Sequence, residues 1–408
     1  MQFLVSAGEA SGDMYAAQAV SRLVSALRPI DPTARFYGCA GPKLQALGVE
    51  PVIDAASLSV VGLAEVVGHL PRIYREYRRL VHFAERNRPV AALLVDNPDF
   101  NLRLARQLKR LGVPTYYLVA PQVWAWRPGR VKTIREVVDK LFCLFPFEEP
   151  WFRQRGVDAT YIGHPLAAMV RARLSRPDFF ARRNLRADLR TLTLLPGSRP
   201  LEIRRHLPVL LDTVALLRRR FALNLLLAIP SGFHSHRVLA SFREPLEALS
   251  IQVVENETWD CIGHADLALA ASGTVTVEAA VLGTPMVTFY KVNPLSWWAG
   301  RRLVKVPFLC MVNLIAGRSV VPELMQADMT PQRLAHAAEE LLANPERSDR
   351  MRAELASVRA ALTRPALTQQ NDPLGFAAEL IARTLPIPAL PLSALNAQAS
   401  STCPGENN

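Results

Sequence analysis

Cysteine is scarce in this chain: five in 408 residues, at positions 39, 143, 261, 310 and 403, with no C-x-x-C pair. Such scatter excludes a disulfide framework or a zinc ribbon and reads as reduced core thiols of a cytosolic protein. Long apolar runs are missing as well. No stretch approaches the ~20 residues that cross a bilayer, and the opening Met1–Ser6 is a short strand running into polar Glu9 rather than a signal peptide. The expectation is a soluble or peripheral protein. No G-x-G-x-x-G occurs, which argues against a dinucleotide, and no Asp-x-Asp offers a diphosphate-bound metal its usual ligands. Acidic residues are in deficit, 36 Asp and Glu against 48 Lys and Arg, for a net charge of +12. A basic excess calls for an anionic partner: nucleic acid, an anionic membrane or a phosphorylated substrate. Nothing resembles a nucleic-acid module, so nucleic acid is not expected.

Half the residues are hydrophobic and the length suits two domains. Apolar runs of strand length alternate with helical patterns throughout, which predicts α/β domains with mainly parallel sheets. The most informative stretch is Leu192–His206. Leu192–Leu195 reads as a buried strand, Pro196-Gly197-Ser198 breaks it, and a helix is expected from Glu202. A strand, a small-residue turn and a helix N-terminus leave backbone N–H groups pointing at an anion, and Arg199 adds a charged fork. An ordinary strand–helix turn with a solvated Arg reads the same residues as well. A second turn of this kind, Ser272-Gly273-Thr274, follows the strand Asp266–Ala271, and Glu278 one turn into its helix could reach ribose hydroxyls. Paired across one cleft, the two turns argue for a phosphate site more strongly than either does alone.

In the first half, the strand Phe3–Ser6 runs into the small-residue turn Ala7–Asp13, where Glu9, Ser11 and Asp13 are polar handles or helix caps. A further turn is expected at Gly38–Pro42, after a strand at Arg35–Tyr37. The apolar strand Val90–Val95 ends on Asp96-Asn97-Pro98-Asp99, and Asp96 is the carboxylate best placed to serve as a base. Asp99 could support it, or simply cap the helix. Trp124, Trp126 and Arg127, in a loop rich in Pro and Arg, suit a substrate wall. Trp297, Trp298, Arg301 and Arg302 interleave rings and cations as a membrane interface does, although a helix with one core face and one solvated face fits them too. His234-Ser235-His236 has no further ligand nearby, and no metal site is expected.

Several motifs together resemble one family, lipid-A-disaccharide synthase, a glycosyltransferase of the two-domain GT-B type. They are Ala7–Asp13, Ala40-Gly41-Pro42, Asp96–Asn101, Val123–Arg127, Phe145–Glu148, Gly163-His164-Pro165, Leu195–Arg199, Ala271–Thr274 and Asn313–Arg318, in the family's order from residue 1 to about 383. Asn97 departs from the family's alanine, and the tail after Leu385 has no counterpart. The resemblance implies two Rossmann-like domains facing across a cleft: 1–170 on the acceptor and base side, 171–345 on the UDP-sugar side, helices at 346–385 packing back on the first domain, and a disordered tail at 386–408. It implies an inverting transfer from UDP-2,3-diacylglucosamine to 2,3-diacylglucosamine 1-phosphate that forms a β-1,6-linked disaccharide and UDP, without a metal or other cofactor. It points to Asp96 and Arg199 as catalytic and to Glu9, Ser11 and Asn313 as functionally important. Peripheral attachment to an anionic inner-membrane surface, on its cytoplasmic face, follows from acylated substrates, and a homodimer is left open. The rivals are another GT-B enzyme, such as a UDP-N-acetylglucosamine 2-epimerase or a polyprenyl-acceptor transferase, and a non-catalytic UDP-sugar or lipid binder.

Overall fold

The computed structural model describes residues 1–57, 63–230, 237–293, 297, 304, 306–364 and 372–385. The expectations for His234–His236, Trp298, Arg301, Arg302 and the tail 386–408 lie outside these residues. Among the described residues, thirteen strands form two sheets. The first, in the order β3-β2-β1-β4-β5-β6-β7, comprises β1 Gln2–Ala7, β2 Arg35–Ala40, β3 Glu50–Asp54, β4 Ala91–Val95, β5 Thr115–Leu118, β6 Lys140–Cys143 and β7 Ala159–Tyr161. The second, in the order β10-β9-β8-β11-β12-β13, comprises β8 Arg190–Leu195, β9 Leu223–Ile229, β10 Gln252–Glu255, β11 Leu267–Ala271, β12 Met286–Tyr290 and β13 Glu323–Met325. Every strand pairing described is parallel.

The described residues divide into two compact units: 1–118 with 137–140 and 374–385, and 119–136 with 141–373. In the first unit, the central strands β1 and β4 are almost wholly apolar and buried, as a parallel sheet covered on both faces demands. Within this unit the helix Pro373–Thr384 brings the Thr384 hydroxyl to 2.9 Å from that of Tyr116. In the second unit one apolar core runs from Phe145 to Leu362 and includes Leu192, Leu194, Leu269 and Phe289, all fully buried.

The structure corrects the expected layout in three places. Gly38–Ala40 continues β2 instead of turning, because the Gly38 backbone presses on Val5: a Cβ there would stand 1.9 Å from the Val5 carbonyl oxygen. Strands β3 and β13 were not expected, since Glu50–Asp54 and Glu323–Met325 are short edge strands without a clear apolar run. The helix after the Gly197 turn starts at Pro200, with Arg199 as N-cap, because proline is pre-set for the first helical position.

Candidate active site: a base and a nucleotide cavity

Both sheets reverse their winding at one point, β1/β4 in the first and β8/β11 in the second. Connections there leave on opposite faces and open a crevice beyond the carboxyl ends of the strands. Ala7 ends β1 beside Val95, the end of β4, and Leu195 ends β8 beside Ala270 near the end of β11. Asp96 and the turn at Gly8-Glu9 therefore sit at the first crevice. The turns at Gly197 and Ser272 sit at the second.

Asp96 and Asn97 both adopt left-handed backbone, φ 51° and 44°. Each such residue costs roughly 1–3 kcal/mol unless its surroundings hold it. The hold is Asn101, fully buried one turn into the following helix Pro98–Arg110. Its Nδ2 donates to the carbonyls of Asp96 (2.7 Å), Val95 (3.1 Å) and Ser6 (3.4 Å), and its Oδ1 accepts from the Ser6 hydroxyl at 2.7 Å. Tyr117 adds a hydroxyl donated to the Asp96 carbonyl at 2.5 Å. One side chain thus ties the ends of β1 and β4 together and holds the Asp96 backbone. Gly8 permits the close approach of Asn97, whose Nδ2 would lie 2.4 Å from a Cβ at that position.

Burial pushes the Asp96 carboxyl up to about 6, and the negative charge of Glu9 adds to the lift. Glu9 is exposed and starts the helix Ala10–Leu27 in extended backbone without capping it through its side chain. Ser11 is exposed beside it, and Asp99 is exposed in the first turn of its own helix, where an acid suits the dipole. Asp13 is committed elsewhere: buried, it accepts N–H bonds from Gly41, Lys43 and Leu44 at 2.9–3.3 Å.

In the second unit a cavity of about 540 Å³ takes in Gly197, Ser198, Arg199, Ser272, Gly273, Thr274 and Glu278 together. Glu202, Ala228, Ile229, Trp259 and Tyr290 are among its other lining residues. Glu278 accepts a hydrogen bond from Trp259, and burial raises its carboxyl above the usual range. The Arg199 side chain is largely exposed and faces the Glu202 carboxylate at 3.7 Å. One expectation changes here. The N–H groups of Ser198 and Arg199 donate to Glu202 Oε2 at 2.9 and 3.2 Å, so a carboxylate of the chain itself sits on the turn. Its Oε1 accepts from the Tyr290 hydroxyl at 2.8 Å.

Asn313 lines neither crevice. It is fully buried, accepting from the N–H groups of Val320 and Val321 and donating to the Val321 carbonyl and to Glu323. Glu323 in turn accepts from the Leu309 N–H, and the Leu309 carbonyl accepts from the Ser272 hydroxyl. Those contacts link Asn313 to the Ser272 turn. Trp124 is half-buried, donating its indole N–H to the buried Glu148 at 3.1 Å with its ring edge-on to Phe147. Trp126 stays exposed with the Arg127 guanidinium 4.1 Å above its ring, and Trp297 is half-buried.

Sequence reasoning missed Asn101, Glu202 and Tyr290 as site residues. The Glu three residues after an N-cap is a recognisable capping-box spacing and could have flagged Glu202. Asn101 and Tyr290 carry no such local signal. Among the described residues, no group of three or more His, Cys, Asp or Glu is placed to hold a metal, and no helix is long and apolar enough to cross a membrane.

Residues 3–372 match the family model for lipid-A-disaccharide synthetase. Lipid-A-disaccharide synthase of Solibacter usitatus (strain Ellin6076) is 54% identical over 361 residues, covering 88% of this chain and 93% of the relative. Among solved structures, the glycotransferase of kitacinnamycin superposes with a TM-score of 0.60 at 17% identity, over 94% of this chain and 99% of that one. A UDP-GlcNAc 2-epimerase from Neisseria meningitidis bound to UDP-GlcNAc gives 0.58 at 11%, again over 94% and 99%. The structural likenesses establish the GT-B fold and do not separate transferase from epimerase; the sequence match does. With its strands, turns and nearly its whole length in register, this chain belongs to the lipid-A-disaccharide synthetase family, glycosyltransferases that form the lipid A disaccharide.

Proposed function

We propose that the chain moves a 2,3-diacylglucosaminyl group from UDP to the 6-hydroxyl of 2,3-diacylglucosamine 1-phosphate, with Asp96 as the base and Arg199 receiving the departing charge. The observation that carries this assignment is the pair of switch-point sites, one bearing a lifted carboxyl and the other an arginine-edged cavity of nucleotide size. An α-linked donor giving a β-linked product inverts in a single displacement. As the acceptor oxygen attacks, its proton passes to Asp96. A carboxyl near 6 is a stronger base than an ordinary one and is still ionised at neutral pH.

The bond to the diphosphate breaks at the other side of the same carbon. Arg199 meets that charge bidentately, with the helix N-termini at Pro200 and Thr274 adding their dipoles. Glu278 accepts from ribose hydroxyls. No resident metal takes part in this reading. Both substrates carry acyl chains, and the exposed Trp126–Arg127 stack, with Trp297, Trp298, Arg301 and Arg302, would meet an anionic membrane surface on its cytoplasmic face.

The test is to incubate purified protein with both acylated sugars and follow UDP and disaccharide by mass spectrometry. UDP-N-acetylglucosamine turnover without an acylated acceptor would instead mark an epimerase. For the membrane, a high-salt wash should release the protein from anionic vesicles; retention would point to apolar insertion over charge attraction.

A further inference from the structure

From the geometry of the Gly197 turn we infer that Glu202 is an internal counter-anion, exchanged for the donor's diphosphate as UDP binds and returning to the turn as UDP leaves. The inference rests on the proposed reading that this turn seats the diphosphate.

Three contacts hold the carboxylate. Oε2 accepts from the N–H groups of Ser198 (2.9 Å) and Arg199 (3.2 Å), and Oε1 accepts from the Tyr290 hydroxyl (2.8 Å), with the Arg199 guanidinium 3.7 Å away. An ordinary capping box bonds only the N-cap N–H. Here the side chain reaches one residue further, to Ser198, and the hydroxyl from β12 pins its other oxygen. The turn is shaped for this approach. Gly197 has φ 119°, and a Cβ there would stand 2.4 Å from Glu202 Oε2.

The donors engaged by Glu202 are those the phosphate reading needs: two backbone N–H groups and a guanidinium at a helix N-terminus. A backbone N–H makes one strong hydrogen bond, so carboxylate and phosphate cannot both hold it. Two anions on one turn would also repel. Glu202 lines the same cavity as Ser272–Thr274 and Glu278, so the exchange takes place inside the nucleotide site. Its consequence is a trade. The carboxylate lowers affinity for the nucleoside diphosphate, and it offers the turn a replacement partner when product departs.

The sign of the effect separates this role from a structural one. Glu202→Gln keeps the shape and removes the charge, so UDP should bind about tenfold more tightly by calorimetry and inhibit turnover as product at correspondingly lower concentration. Tyr290→Phe, which frees one carboxylate oxygen, should tighten UDP binding about threefold. A Glu202→Gln protein that melts like the parent yet binds UDP equally or more weakly overturns the inference, since that is what a residue merely holding the turn in shape would do. If Glu202→Gln does not fold, the Tyr290→Phe result decides in the same way. Arg199→Ala distinguishes the two levels of the argument. Loss of UDP binding in Arg199→Ala with no gain in Glu202→Gln sinks the exchange and leaves the diphosphate seat standing, whereas unchanged UDP binding in Arg199→Ala sinks both.

Discussion

Replacing Asp96 by Asn should separate catalysis from stability in opposite directions. The substitution keeps the volume and removes the ionisable group. Turnover should fall by roughly 10²–10⁴, the range for a lost general base, while UDP, whose proposed seat is the Gly197 and Ser272 turns of the other unit, should keep its affinity. Stability should move the other way. Burial, with the charge of Glu9, sets the native carboxyl at about 6 against an ordinary 3.8. Between those values the native state holds a proton that the unfolded chain has released. Asp96 therefore contributes less to stability as pH rises through that window, and the loss persists above it. At 1.36 kcal/mol per pH unit the gap is worth at most about 3 kcal/mol, and residual hydration of the half-buried carboxyl trims it to roughly 1–2 kcal/mol. The Asn variant should thus be more stable than the parent at pH 8, with the difference shrinking towards pH 4.5. Denaturant unfolding of both proteins across that range, alongside initial rates, reads both effects. Near-normal turnover would refute the base assignment, and an Asn variant no more stable at pH 8 would refute the buried, lifted carboxyl.

Glu9→Gln removes the charge that helps to raise Asp96, so the acid limb of the kcat/KM profile should move to lower pH; a limb that stays in place or rises denies the coupling. Asn101→Ala strips the donors from the carbonyls of Val95 and Asp96 and should cost roughly 2–4 kcal/mol of stability, lowering kcat while calorimetry finds UDP affinity unchanged. Turnover should survive exhaustive EDTA treatment, because charge acceptance is assigned to Arg199; abolition restored by a divalent ion would refute that assignment.

Much of this was legible in the chain. Apolar runs such as Ala91–Val95 and Leu267–Ala271 announce buried parallel strands, because each must satisfy two covered faces. The small residues after them mark where the strands end, so Asp96, Gly197 and Ser272 could be placed at carboxyl ends from local pattern alone. The edge strands Glu50–Asp54 and Glu323–Met325 were not legible, since an edge needs no continuous apolar run and its pairing partner lies far off in sequence.

What the tertiary structure decided is which ends are neighbours and which side chains hold them. Strand order, a property of pairing between distant segments, puts Ala7 beside Val95 and Leu195 beside Ala270 at the two points where winding reverses. Asn101 reaches Ser6 across 95 residues of chain, and Tyr290 reaches Glu202 across 88. Local periodicity carries no information about such contacts, because they depend on where the chain returns. The sequence by itself determined the buried central strands, the turns at Asp96, Gly197 and Ser272, and the family. Packing decided that burial and the nearby Glu9 lift the Asp96 carboxyl, and that the Gly197 turn carries a carboxylate of its own.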